Sequence, residues 1–324
     1  MSDILQGEGL VGLTEVEAAA RRLAGVAVRT PLLPADVISE IAGANVRLKC
    51  ESLQRAGSFK IRGAYNFVSQ LSDEQVASGI ITYSSGNHAQ AVALSGKLRG
   101  VRAVVVMPTT APKVKRDGAE RLGAEVIYEG TTSLERRAKA EEIAEEQGLV
   151  IVPPFDHRHI IAGQGTVGLE IAREWPDVDL VLAPIGGGGL ASGVAASIKR
   201  LLPAARVIGV EPVGAASMRK ALDEERPVVI KKIDTIADGL APIMAGELTY
   251  EHAFSLMDDV VTVSDDAIRE ATSLLVSQQK LIVEFSGAAA TAALLSKAVE
   301  AEGARVAVVI SGGNLDPTLV AGMA

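Results

Sequence analysis

Leu180-Val-Leu-Ala-Pro-Ile-Gly-Gly-Gly-Gly-Leu-Ala-Ser-Gly-Val-Ala-Ala-Ser-Ile-Lys-Arg-Leu-Leu202 reads as three consecutive pieces of structure. Leu180–Ile185 is a short apolar run, Gly186 to Gly189 interrupt it, and Leu190–Leu202 places small and apolar residues at helical spacing. An apolar strand, a turn and a helix in that order form the unit of a parallel sheet buried on both faces. Working outward, the same unit recurs behind Gly79–Ser84, Arg102–Met107, Glu125–Tyr128, Arg206–Val210 and Arg305–Ile310. The spacing predicts further helices over Asn87–Leu98, Lys113–Leu122, Ser133–Gln147, Gly165–Trp175, from Asp265 onward, and over Ala288–Glu302. The fold class is therefore α/β, with mainly parallel sheets flanked by helices.

Composition narrows what such a fold does. Of 324 residues, 48% are hydrophobic and only 3% aromatic, so the core is built from Ala, Val, Leu and Ile. A net charge of −8 argues against nucleic acid or an anionic membrane as partner, since either requires a basic face. The densest charge run, Glu135 to Glu146, mixes both signs at helical spacing and reads as a solvated helix face. Cys50 is the only cysteine, which removes any intrachain disulfide and reads as a small buried hydrophobe. The first residues lack a basic segment followed by an apolar one, and no apolar run reaches the ~18 residues of a membrane span. These features together lead to the expectation of a cytoplasmic protein. His157 and His159 lack a third ligand nearby and read as loop residues rather than a metal site.

In open α/β sheets, ligands bind beyond the carboxyl ends of strands, where helix N-termini present backbone N–H groups. Three loops here are built that way: Ser84-Ser85-Gly86-Asn87-His88, the tetraglycine, and Ser311-Gly312-Gly313-Asn314. Four glycines in a row can turn successive N–H groups toward one anion, and a phosphate suits them best. No Lys-Ser or Lys-Thr follows, so this is not a nucleoside-triphosphate loop of the Walker kind. Gly186-x-Gly188-x-x-Ala191 also fits the dinucleotide fingerprint, with Glu211 at the end of the next strand in position for a ribose. On this stretch alone, a nicotinamide-dependent dehydrogenase stays open, as does a non-catalytic ligand-binding protein.

Lys60 stands between Phe59 and Ile61, behind Gly57-Ser58. In an apolar setting its amine would lose charge and become a nucleophile able to form a Schiff base. Alternatively, Lys60 and Arg62 lie on the solvated first turn of a helix.

Taken together and in order, Ser58-Phe59-Lys60-Ile61-Arg62-Gly63-Ala64, Ser84-Ser85-Gly86-Asn87-His88-Ala89-Gln90, the tetraglycine and Ser311-Gly312-Gly313-Asn314 closely resemble the pyridoxal-phosphate enzymes of the threonine dehydratase and serine racemase family. Ala162-Gly163-Gln164-Gly165-Thr166 and Thr235-Ile236-Ala237-Asp238-Gly239 extend the resemblance from about Thr30 to Asn314. It implies a tryptophan synthase beta-like fold of two open twisted sheets. Residues 1–78 and 157–324 would form a large cofactor-binding domain and 79–156 a small mobile one.

The resemblance also implies roles. Lys60 would carry pyridoxal 5'-phosphate as a Schiff base, with Phe59 against the ring and Gly186, Gly187, Gly188 and Gly189 on the phosphate. Asn87 would meet the ring hydroxyl and Ser311 the ring nitrogen, while Gly239 and Glu284 line the cofactor. Ser84, Ser85, Asn87 and His88 would receive the substrate carboxylate. Catalysis would rest on Lys60, with Ser85 as a second proton carrier if the enzyme racemises. A neutral partner such as Ser311 does not favour a protonated ring, which suits elimination more than transamination. The expected activity is β-elimination from L-threonine or L-serine to a 2-oxo acid and ammonia, with serine racemase or 3-hydroxyaspartate dehydratase as alternatives. A dimer or tetramer is expected. In metal-activated relatives a divalent cation (Mg or Ca) sits after a Val-Glu-Pro strand. Here Glu211 and the Ala215 carbonyl match, but Ser217 stands where an aspartate belongs, so such a site would need water to complete it. Little chain follows Asn314, hence no C-terminal regulatory domain is expected.

Overall fold

A computed structural model describes residues 9–84, 86–111, 113–316 and 318. Ten strands are seen among them: β1 (Leu32–Pro34), β2 (Asn45–Cys50), β3 (Ile80–Tyr83), β4 (Ala103–Met107), β5 (Glu125–Tyr128), β6 (Val150–Ile151), β7 (Leu180–Pro184), β8 (Arg206–Pro212), β9 (Asp259–Val263) and β10 (Arg305–Ile310). The helices that matter below are, with all α-helices numbered in chain order, α1 (Leu13–Leu23), α2 (Asp36–Ala42), α3 (Lys60–Val68), α4 (Asp73–Ser78), α5 (Asn87–Arg99), α6 (Lys113–Arg121), α7 (Ser133–Gln147), α8 (Arg158–Glu174), α9 (Gly189–Leu201), α10 (Ser217–Asp223), α11 (Glu247–Leu256), α12 (Asp265–Ser277) and α13 (Phe285–Leu295).

The strands form two sheets. The larger runs β1-β2-β10-β7-β8-β9 and is parallel except for β1, which pairs antiparallel with β2. The smaller runs β5-β4-β3-β6 and is parallel throughout. Apolar runs build these sheets because successive side chains point to opposite faces and both faces are covered. On β7, Leu180 and Leu182 enter a core shared with α12 and α13, whereas Val181 and Ala183 enter one shared with α8, α9 and α11. The smaller sheet behaves alike: Val105 and Met107 pack toward α3 and α5, Val104 and Val106 toward α7.

Two predicted boundaries are corrected. The helix expected from Gly165 begins at Arg158, so His159 is helical and His157 is its N-cap, accepting from the His159 N–H at 3.1 Å, rather than both lying in a loop. Glycines on this helix and on α9 serve packing: a Cβ on Gly163 would overlap the Arg62 carbonyl, and one on Gly193 would overlap Gly165. The last long helix ends at Leu295, short of Glu302. β1, β2, β6 and β9 were not anticipated; β1 and β6 are two or three residues long, and β9 is a partly exposed edge strand, so none carries a long apolar run.

Candidate active site

A cleft of about 180 Å³ opens at the carboxyl ends of both sheets, where β3 gives way to Ser84, β7 to the glycines and β10 to Ser311. A roomier hollow of about 730 Å³ lies at the opposite ends of the strands, by Arg206 and Ala304. Parallel sheets present their unpaired helix N-termini at the carboxyl edge, which makes the smaller cleft the candidate site.

Lys60 is placed by pairing. Ser58 forms an antiparallel bridge with Gly312, and the Phe59 N–H donates to the Ser311 carbonyl at 3.1 Å, tying the start of α3 to the end of β10. Gly57 has φ +71°, and any Cβ there would overlap Asn314, so only glycine serves. Lys60 Nζ donates to the Pro154 carbonyl at 2.8 Å. Desolvation brings its pKa down to about 8, against a weaker upward pull from Glu284. The amine therefore has a sizeable neutral fraction near pH 8.

The solvated-turn alternative for this helix is overturned by its neighbour. Arg62 is 1% exposed and locked in an ion cluster: Nε and Nη2 donate to Glu51, and Nη1 donates to Glu170 at 2.7 Å and Thr166 at 3.0 Å. Lys49, also buried, donates to Glu170 at 2.6 Å. Arg62 thus anchors the turn that carries Lys60.

Gly188, in the left-handed conformation at φ +96°, is the N-cap of α9. The first N–H groups of α9 have no partner within the helix and, with the dipole, favour an anion. A side chain at Gly187 would overlap the Phe155 ring, which packs against the loop from one side. Thr249 holds it from another, donating from Oγ1 to the Gly187 carbonyl at 2.7 Å.

Asn87, at the first position of α5, donates from Nδ2 to Glu284 Oε1 at 2.5 Å and accepts at Oδ1 from Asn314 at 2.8 Å. Burial pushes the Glu284 pKa up to about 7. Gly239 lines the cleft and donates its N–H to Ser286 Oγ at 2.8 Å. Phe59, Ser84 and Ser311 also line it, and Ser84 Oγ accepts from the Gly86 N–H. Ser85 lies outside the described residues. His88 lines the cleft, yet burial and the nearby Lys60 hold its pKa near 3, and Nε2 faces the Val152 carbonyl at 3.1 Å. It is a neutral ring and brings no positive charge to a carboxylate.

Several lining residues escaped the sequence reading. Arg136 lies within the run taken for a solvated face, but Arg136, Ala140, Ile143 and Ala144 make a buried stripe on α7. Arg136 is 9% exposed, lines the cleft, and its Nε has no partner among the described residues. Across the cleft, Lys115 of α6 forms an ion pair with Asp238. Only the helical spacing of the stripe could have flagged Arg136; the Lys115–Asp238 contact leaves no local trace.

The Glu211, Ala215 and Ser217 group is compact. Both Glu211 carboxylate oxygens accept backbone N–H groups, of Met218 and Arg219, at 2.8 Å, and burial pushes its pKa up to about 7. Ala215 closes a 3-10 turn, and Ser217 Oγ is buried without a partner among the described residues. Glu211 is therefore a helix cap for α10 and is 0% exposed, which leaves it unavailable to a nucleotide ribose and removes the dehydrogenase reading. Among the described residues, no three His, Cys, Asp or Glu side chains gather as a metal site.

A lysine amine near neutrality, a glycine-lined helix N-terminus and a serine hydroxyl on one cleft fit a phosphorylated aldehyde cofactor held as a Schiff base. Residues 23–312 match the family described as pyridoxal-phosphate dependent enzymes, and the chain belongs to it. It is 43% identical over 311 residues to an L-threonine ammonia-lyase of Thermotoga maritima, covering 96% of this chain and 77% of that one. A serine racemase of Oryza sativa subsp. indica is 39% identical over 306 residues, 93% of this chain and 90% of its own. In three dimensions, maize serine racemase superposes with a TM-score of 0.93 at 38% identity, over 97% of each chain.

Proposed function

We propose that the chain is an L-threonine/L-serine ammonia-lyase, removing the amino and β-hydroxyl groups of its substrate to leave a 2-oxo acid and ammonia. The observation that carries this reading is the Lys60 amine, desolvated to a pKa of about 8 in the cleft that the glycine loop lines. Bound there, pyridoxal phosphate supplies a conjugated sink for the charge left at the substrate Cα. The α9 N-terminus with Gly186 to Gly189 would hold its phosphate, and Ser311 would keep its ring nitrogen with a neutral partner. Lys60 Nζ, once free, takes the Cα proton as general base, its pKa lowered by burial to about 8. The N-terminus of α5 with Asn87, and Ser84 just before it, receives the substrate carboxylate, and Arg136 adds positive charge to the cleft. Residues 79–156, which contain the smaller sheet, would close over the substrate and exclude water.

Serine racemisation is the second reading, supported by the likeness to the maize racemase, with Ser85 as the second proton carrier. A homo-oligomer is part of the proposal. Its support is the exposed apolar face made by Leu33 on edge strand β1 and by Val37 and Ile41, one turn apart on α2. No helix among the described residues is long and apolar enough to cross a membrane, and we place the enzyme in the cytoplasm because its one cysteine, Cys50, is a buried free thiol.

The test is an absorption spectrum of the purified protein, followed by 2-oxo acid release from L-threonine, L-serine and D-serine. A visible band bleached by borohydride, with release fastest from an L-hydroxy amino acid, supports the lyase. Interconversion of the serine enantiomers faster than release would replace it with the racemase. A protein that takes up no pyridoxal phosphate sinks both.

A further inference from the structure

The stretch that leads out of the smaller sheet after β6 meets a different part of the site at almost every residue. The Val152 carbonyl accepts from Thr82 Oγ1 at 2.8 Å and faces His88; the Pro154 carbonyl accepts from Lys60; the Phe155 ring packs against Gly187 and its backbone and Cβ against Gly189; His157 caps α8. Asp156 does something the others do not. Its Oδ2 accepts from the Glu247 N–H at 3.0 Å and its Oδ1 from the Thr249 N–H at 3.1 Å, so it caps α11 from 91 residues away in sequence. The residue in the local N-cap position, Gly246, has no side chain, and a Cβ there would overlap the Asp156 carboxylate. A carboxylate at this position satisfies two N–H groups that the helix leaves open and complements its dipole.

The capped turn reaches the glycine loop through one hydroxyl. Thr249 Oγ1 accepts from the Gly246 N–H at 3.0 Å and donates to the Gly187 carbonyl at 2.7 Å. In a trans peptide the carbonyl and the next N–H point opposite ways. Holding the Gly187 carbonyl against Thr249, which lies behind the loop, therefore turns the Gly188 N–H away from it, toward the cleft that Gly187 and Gly188 line. We infer that Asp156 is a positioning residue for the phosphate end of the cofactor site, acting through Thr249 on the glycine loop without touching the cofactor. The inference rests on the assignment of pyridoxal phosphate to the cleft, not on which amino acid is the substrate.

A phosphate-selective loss separates this role from plain structural support. Pyridoxal phosphate and pyridoxal, which lacks the phosphate, are titrated into apoenzyme of wild type, Asp156→Ala, Asp156→Asn and Thr249→Val, with thermal melts of each apoprotein alongside. Asp156→Ala should weaken pyridoxal phosphate about tenfold, the worth of one charge-assisted hydrogen bond, while pyridoxal stays within about twofold. Asp156→Asn, which keeps one acceptor oxygen, should recover part of the loss, and Thr249→Val should reproduce it. Thr249→Val carries the test alone if Asp156→Ala does not fold. Parallel weakening of both ligands, or no change in either, overturns the inference. Wild type that binds no pyridoxal phosphate removes the cofactor assignment and the inference with it.

Discussion

Lys60 Nζ donates to the carbonyl oxygen of Pro154 at 2.8 Å, joining the nucleophilic amine on α3 to the segment that leaves the smaller sheet. The bond gives the amine an acceptor with no anionic partner in contact, and desolvation by burial brings its pKa down to about 8.

That depression has a sign that can be measured. Between about 8 and the ordinary 10.5 the folded chain holds fewer protons on Lys60 than the unfolded one, so the apoprotein gains stability as pH rises across this window. Lys60→Met should abolish the activity and the borohydride-sensitive colour. It should also be more stable than wild type at pH 6, by ~1–3 kcal/mol, with the difference closing by about pH 10.5. Urea melts of the apoproteins at pH 6, 8 and 10 check this; a constant difference across all three would be the wrong outcome.

Glu284 works in the opposite direction. Its pKa of about 7, against an ordinary 4.5, means the folded chain holds an extra proton in that window, and stability falls as pH rises through it. Glu211 adds a slope of the same sense. Glu284→Gln keeps an acceptor for Asn87 Nδ2, and should flatten part of the decline between pH 5 and 8 in apoprotein denaturation curves without abolishing it.

Arg136 is a cation desolvated at the cleft wall, where burial lowers its pKa. Arg136→Ala should cut kcat/KM for hydroxy amino acids by about 10- to 100-fold, mostly through KM, because a buried charge-assisted contact to an anionic group is lost. Steady-state kinetics decide it. A fall confined to kcat would move Arg136 from binding to chemistry. Comparing L-threonine with 3-hydroxyaspartate on the same variant would show whether the arginine serves a second carboxylate.

At the glycine loop, Gly187→Ala should lower pyridoxal phosphate affinity because the added methyl overlaps the Phe155 ring. Adding Phe155→Ala should restore part of that affinity if the overlap is the cause. Equilibrium titration of the single and double variants reads the coupling.

Removing Arg62 leaves Glu51, which is 0% exposed, as a buried charge without its main partner. Arg62→Ala should destabilise the protein by about 3–5 kcal/mol, measured by denaturant unfolding.

The β7, glycine and α9 stretch was legible because each piece carries a local signal: an apolar run, residues free of side chains, then helical spacing. Glu125–Tyr128, Arg305–Ile310 and Ser133–Gln147 matched their predicted limits for the same reason. The expectation of α8 began seven residues late, at Gly165 rather than Arg158; Gly163, Gly165 and Gly168 lie where neighbouring helices, α3 and α9 among them, approach too closely for a side chain. In the site, Lys60 and the loops stood out as ordered motifs, but their physical settings did not. Whether Lys60 was solvated depended on Glu51, Glu170 and Pro154, and the last two lie about a hundred residues away along the chain. Asp238, Lys115 and Asp156 act on distant partners, and Arg136 was masked by the charges that surround it in sequence.

β10 lies between β2 and β7, and the residues just after it pair with Ser58 beside the reactive lysine. The middle of the larger sheet is therefore supplied by a segment that is made after β7, β8 and β9. Until residues 305–312 emerge, β1 and β2 have no parallel neighbour, and β7, β8 and β9 form a fragment with an open edge. Such long-range pairing is slow and exposes strand edges meanwhile. The larger sheet thus closes only once β10 joins it, and the same event that completes it sets the lysine in place.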